Sequence, residues 1–174
     1  MKKIITVLFV ATATLFCYKA FAQDITVTAG YEQPSFSGSG YSINLNGFYA
    51  GVLTQIPLND VFYLEPGAIL DWGKKDNLKL SHLRVPLHIG TSLDLGNGFD
   101  LFASAGPGLN IGLFGSDNVF DIYNRFDIIL GLEAGVRMSD QYELRFGYDW
   151  GLLKAAKEGN AHHNVLHIGL AYKF

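Results

Sequence analysis

Apolar and polar residues alternate along most of this chain. Over residues 142–151, Tyr142, Leu144, Phe146, Tyr148 and Trp150 alternate with Glu143, Arg145, Gly147, Asp149 and Gly151. A strand sends successive side chains to opposite faces, so this spacing predicts a strand with one apolar face and one charged or glycine-bearing face. The last segment repeats the order, with Leu166, Ile168, Leu170, Tyr172 and Phe174 against His167, Gly169, Ala171 and Lys173. Residues 127–138 follow it too, interrupted only at Ile129. Five further segments alternate, at 25–32, 44–56, 62–72, 83–94 and 99–113. The phase of 44–56 stays open, because apolar residues fall on both of its faces. The pattern therefore predicts an all-β chain of eight strands.

Alternation alone does not say which face is inside. A soluble lipocalin-like barrel alternates with its apolar face inward, and a membrane barrel with its apolar face outward. Here the polar faces are rich in glycine and carry isolated charges, as suits the tightly filled interior of a small barrel. The apolar faces carry almost no charge over about ten residues, the length of a tilted strand crossing a bilayer. Residues 57–60, 96–98 and 139–141 read as tight turns, while 34–43, 73–79, 114–124 and 152–162 read as longer polar connections. Short turns at one end and longer loops at the other match an outer-membrane arrangement. Gly98 suits a left-handed position closing a three-residue hairpin, and Gln141 suits the equivalent position poorly. Aromatic residues gather near strand ends, as an interfacial girdle requires. Phe62, Phe99, Tyr142, Tyr172 and Phe174 lie toward the turns. Tyr31, Trp72, Phe126, Tyr148 and Trp150 lie toward the loops.

The first residues follow a different rule. Lys2 and Lys3 precede an apolar run of about a dozen residues, too short to span a bilayer as a helix, and Ala20-Phe21-Ala22 then supplies small residues at −3 and −1. These features predict a signal peptide over residues 1–22, cut before Gln23, and a barrel domain over 23–174. Removing 22 of the 174 residues leaves 152, enough for one domain. Lys2, Lys3 and Lys19 leave with the signal, so the remaining charge is −6, with 10 basic and 16 acidic residues. That balance argues against a nucleic-acid partner. Cys17, the single cysteine, leaves as well, which removes disulfides and thiol catalysis from consideration.

The signal, the eight alternating segments and the terminal Tyr172-Lys173-Phe174 together resemble the small outer-membrane β-barrel families typified by OmpX and the OmpA membrane domain. Residues 83–90, Leu-Arg-Val-Pro-Leu-His-Ile-Gly, also resemble a proline-containing strand of PorT-like barrel proteins. The resemblance implies an eight-stranded antiparallel up-and-down transmembrane β-barrel in the bacterial outer membrane, in contact with its lipid and lipopolysaccharide. It further implies that Tyr172 and Phe174 form a C-terminal signal for the barrel-assembly machinery. Such families include structural, adhesive, host-interaction and secretion-associated proteins, so the resemblance bears on architecture more than on role.

The interior charges are the best-defined candidate site: Glu65, Asp71, Arg84, Glu133, Arg137, Glu143 and Arg145. A turn at 139–141 would set Arg137 opposite Glu143 and Arg145 diagonal to Glu133, within reach of long side chains. Such charges could line a narrow, selective pore or pair off and plug the lumen. Eight strands leave room only for side chains, and unpaired buried charge is costly, so the plug is the favoured arrangement. His163 and His167 share a face but lie roughly 13 Å apart, too far to hold one metal together. No Gly-x-Ser-x-Gly elbow surrounds any serine, and Ser81 and His82, adjacent on a strand, face opposite ways. The expectation is a non-enzymatic protein without cofactor, for which narrow-pore transport and a soluble lipocalin-like binder are the alternatives. Segment 35–41 lacks the lysine of a phosphate loop and reads as a flexible loop. With Phe36, Tyr41, Phe114 and Phe120, the loops are the expected place for an extracellular partner. Intact-mass measurement of the protein from outer membranes is expected to give a chain beginning at Gln23; a mass that keeps residues 1–22 would refute the cleavage.

Overall fold

The computed structural model describes residues 24–38, 41–116, 123–155 and 161–174. The predicted signal segment, with Ala20, Ala22 and Gln23, lies outside them, as does Phe120. The strands are β1 (Asp24–Gly38), β2 (Tyr41–Asn44), β3 (Asn46–Pro57), β4 (Phe62–Lys75), β5 (Leu78–Gly96), β6 (Phe99–Gly115), β7 (Phe126–Met138), β8 (Tyr142–Gly151) and β9 (His162–Lys173). β1 and β3 to β9 pair antiparallel in sequence order. β9 then pairs back onto β1, from Thr26 opposite Lys173 to Ser37 opposite His162, and closes an eight-stranded barrel. β2 continues β3 beyond a break at Leu45, whose amide donates to the Pro34 carbonyl at 2.7 Å.

Burial decides which face is inside. Arg145 and Glu32 are 0% exposed, whereas Phe48 is 69% and Leu170 67% exposed. The charged face lines the lumen and the apolar face points outward, the reverse of a soluble barrel, and this overturns the lipocalin-like alternative. The undecided phase of residues 44–56 resolves with Gly47, Tyr49 and Leu53 inward and Phe48, Ala50 and Val52 outward. Tyr49 and Leu53 pack with Ile69 inside the lumen, which is why both faces of that segment read as apolar.

Turn chemistry corrects two expectations at the end where β1 begins and β9 ends. The hairpin after β5 is a two-residue turn, because Gly96 pairs with Phe99 and both Asn97 (φ 56°) and Gly98 (φ 78°) are left-handed. A bulge before Gly96 absorbs the residue that a three-residue loop would have held. At the next hairpin Ser139 (φ 52°) and Asp140 (φ 60°) hold the left-handed positions, and the Gln141 amide donates to the Met138 carbonyl at 3.2 Å. Gln141 therefore does not occupy the position it suited poorly. At the other end, two of the expected loops are strand extensions. β4 and β5 run on to a two-residue turn at Asp76-Asn77, and β1 runs on to Gly38, which pairs with Tyr41. Asp76 takes the left-handed conformation (φ 51°) that such a turn needs.

The lumenal glycines have a packing role. The Phe102 ring lies against Gly135, the Tyr63 ring against Gly90, and the Tyr49 ring and hydroxyl against Gly30 and Gly169. The imidazole of His167 covers Gly147. Each glycine leaves the space that a large neighbouring ring fills, so glycine and bulky side chains alternate around a narrow interior. Gly135→Ala is expected to destabilise the barrel by about 1–3 kcal/mol through overpacking against Phe102. The measurement is the temperature at which the folded band converts to the unfolded one on a gel; an unchanged temperature would show room beside the ring.

Candidate functional site

Two nets of ion pairs occupy the lumen. In the first, Arg145 on β8 donates from Nε to Glu133 on β7 at 2.8 Å, from Nη1 to Glu143 at 3.0 Å and from Nη2 to Glu65 on β4 at 2.6 Å. Arg137 on β7 donates from Nε to Glu143 at 2.8 Å and from Nη2 to the Gln55 amide oxygen at 3.1 Å. Its Nη1 lies 3.6 Å from Asp100. Gln55 donates in turn to Glu65 at 2.8 Å. The Phe102 ring centroid lies 5.0 Å from the Arg145 guanidinium carbon and 5.6 Å from that of Arg137, so one aromatic ring serves both cations.

The second net lies nearer the loop end. Arg84 on β5 donates from Nη2 to Asp71 on β4 at 3.0 Å and to Glu32 on β1 at 3.4 Å, and from Nη1 to Asp149 on β8. His167 on β9 joins the two nets. Its Nδ1 lies 3.3 Å from Arg84 Nη1, and its Nε2 lies 3.3 Å from Glu133. Every one of these groups except Asp100 is buried. The planar guanidinium fork lets one arginine engage carboxylates on several strands, which a lysine could not do in the same geometry.

All seven expected interior residues face the lumen. Arg137 sits opposite Glu143 in the β7–β8 register, and Arg145 reaches Glu133 on the diagonal. The structure adds Glu32, Gln55, Asp100, Asp149 and His167. Glu32, Asp149 and His167 stand on polar faces legible in the sequence, but their contacts cross the lumen between strands that are not neighbours. Gln55 and Phe102 carried no such signal, since one lies in the segment of uncertain phase and the other is apolar on a polar face.

The remaining candidates fall elsewhere. His163 stacks on Phe36 at 4.7 Å, lies 4.9 Å from the His82 ring, and has its Nδ1 3.0 Å from the Asn110 amide nitrogen. Among the described residues no three His, Cys, Asp or Glu side chains converge as a metal site would require. Ser104 Oγ lies 3.4 Å from His88 Nδ1, but both are buried in the lumen, away from the lipid face. Phe36 is not free for a partner: it packs with Leu45, Leu80 and Ala155 at the mouth of the barrel. Phe114 is 74% exposed, in β6 rather than in a loop. Tyr172 stands between Tyr142 and Phe174, with ring centroids 5.4 and 4.7 Å away, at the terminal end of the β1–β9 seam.

A closed inverted barrel with a charged lumen is the setting for comparison with known proteins. The profile of the family described as "Outer membrane protein beta-barrel domain" matches residues 8–174. The chain belongs to that family. Solved structures of similar fold include Neisserial surface protein A, at 19% identity and a TM-score of 0.60, covering 86% of this chain and 97% of that one. Ail, the attachment invasion locus protein of Yersinia pestis, matches at 16% identity and a TM-score of 0.52, covering 87% and 99%. The outer membrane enzyme PagL matches at 11% identity and a TM-score of 0.57, covering 87% and 98%. At these identities the likeness is one of fold. The search of curated proteins found no match. The family match and the outward apolar face together make this an integral outer-membrane barrel.

Arg145→Ala is expected to lower stability by roughly 3–5 kcal/mol, because Glu65 and Glu133 lose their arginine and Glu143 is left with Arg137 alone. Arg145→Lys should recover only part of the loss, since an ammonium cannot reproduce the fork. Denaturant unfolding in detergent measures both; a stability equal to the parent for Arg145→Ala would mean that the net is not a structural element.

Proposed function

We propose that this protein is a non-enzymatic outer-membrane barrel whose lumen is plugged by its own ion pairs, and which acts as a structural element or through its loops. The observation that carries this reading is the reach of two arginines across the interior. Arg145 on β8 bonds Glu65 on β4, and Arg84 on β5 bonds both Glu32 on β1 and Asp149 on β8. Guanidiniums tied to opposite walls leave little of the cross-section of an eight-stranded barrel for a solute. Opening a path would separate several charge-assisted bonds at once.

Among the described residues no serine hydroxyl bonds a histidine on the outward face, which supports the non-enzymatic part. Ser37 stands opposite His162 there, but its Oγ accepts from the Asn164 amide while His162 Nδ1 lies against the Gly151 carbonyl. Attack on a lipid needs a nucleophile and its base together at the membrane interface. The Ser104–His88 contact lies inside the lumen, and Ser81, paired with the outward Trp72, and His82, paired with the lumenal Asp71, sit on opposite faces of β5. In this reading, Tyr172 and Phe174 serve recognition by the barrel-assembly machinery, and extracellular partners engage the connections at the loop end.

Planar-bilayer recordings test the plug. The purified barrel is expected to show no resolved current steps, and Arg84→Ala combined with Arg145→Ala is expected to produce them. Steps from the unaltered protein would replace the plug with narrow-pore transport.

A further inference from the structure

The outward face of the β1–β6 wall is layered toward the loop end. Strand register sets Tyr31, Phe48, Trp72, Ser81 and Phe114 side by side across five strands. The four aromatic residues of that row are 40–74% exposed. Below them on the same face lie Ala29, Ala50, Leu70, Leu83 and Ile111, again in register. Two residues beyond the aromatic row, toward the loops, come Asn46, Lys74 and Lys79, paired in that order. Lys74 and Lys79 are exposed and face each other directly across β4 and β5. Asn46 is held in place by the Tyr31 hydroxyl, which donates to it at 2.6 Å.

Along the barrel axis this order runs from hydrocarbon-compatible to interfacial to cationic. Side chains opposite one another on an antiparallel pair stand roughly 5 Å apart at Cβ, and like charges so placed destabilise the pair. An anion between the two ammonium groups turns that repulsion into attraction. Among the described residues the outward face of this row presents Asn46, Lys74 and Lys79 and no carboxylate; the nearest acid in the hairpin, Asp76, lies beyond it in the turn. A ligand seated here would have its charged group at the lysines and its apolar part along the aromatic row and the Leu70–Leu83 pair beneath. A phosphate-bearing lipid has that shape and charge, and a free anion lacks the apolar part.

We propose that Lys74 and Lys79, above Trp72 and Phe48, form a binding site for the phosphorylated headgroup of an outer-leaflet glycolipid of the lipid A type. The site faces lipid and not the lumen, so it is independent of whether the interior conducts.

The test is native mass spectrometry of the full barrel in detergent, titrated with bisphosphorylated lipid A and with the same lipid stripped of phosphate. The unaltered protein is expected to retain the phosphorylated lipid and not the stripped one. Lys74→Gln with Lys79→Gln is expected to weaken retention about 30-fold, from the worth of two basic residues at an anionic membrane surface. Lys75→Gln, on the other face of the same hairpin, is expected to leave retention unchanged. A gel-mobility shift on boiling the same samples checks that each variant is folded. Equal retention by the double variant, equal retention of the stripped lipid, an equal loss in Lys75→Gln, or displacement by equimolar inorganic phosphate would each overturn the site.

Discussion

Backbone hydrogen bonding in lipid is the constraint on which this structure depends. Hydrocarbon offers no partner to an amide or a carbonyl, so a sheet can cross a membrane only when its first and last strands pair with each other. Here β9 returns to β1 over twelve residue pairs, and the last amide, that of Phe174, donates to the Ile25 carbonyl at 2.8 Å. Once the sheet is closed, inside and outside are fixed for every strand, because the side-chain period of two leaves no third face. The barrel then needs an apolar exterior and an interior that its own side chains can fill.

The interior is filled in an unusual currency for a protein core. Rings settle against glycines, while three arginines are each met by at least two carboxylates. Burying such groups costs several kcal/mol per ion before their mutual attraction is counted, and a half-satisfied net would be worse than an apolar core. Hence the amide of Gln55 and the imidazole of His167 matter as much as the ions. Gln55 links Arg137 to Glu65, and His167 links Arg84 to Glu133, so the two nets brace strands from β1 to β9. The same closure frees the exterior to vary by height, which is how an aromatic row and a pair of lysines come to stand at the membrane boundary.

Much of this was legible as pattern. The clean alternation in β8 and β9 displayed both faces, and the seven interior charges stood on the side that proved lumenal. Where alternation failed, an apolar group had been recruited to the interior: Tyr49 and Leu53 in β3, Phe102 in β6 and Ile129 in β7 are all buried. Turn types were less legible, because left-handed backbone at Ser139 and Asp140 depends on the strands they join as well as on residue type. The long connections near 34–43 and 73–79 proved to be strand extensions for a related reason: polar residues beyond the membrane lose the apolar alternation that marks a strand, yet their backbones go on pairing.

By itself, then, the sequence determined the number of strands, the two faces of most of them and the family to which the chain belongs. These are properties of local spacing, set by side chains two residues apart on one strand. Beyond the Arg137–Glu143 and Arg145–Glu133 pairs that the turn at 139–141 sets, only the tertiary structure decided which charges meet. Arg84 touches Glu32, Asp71 and Asp149 from three different strands, and Arg145 reaches Glu65 eighty positions away. Apart from Arg84–Asp71, which joins the paired strands β4 and β5, such contacts follow from curvature and closure, which bring non-neighbouring strands face to face across the lumen. The period of a single strand carries no information about them.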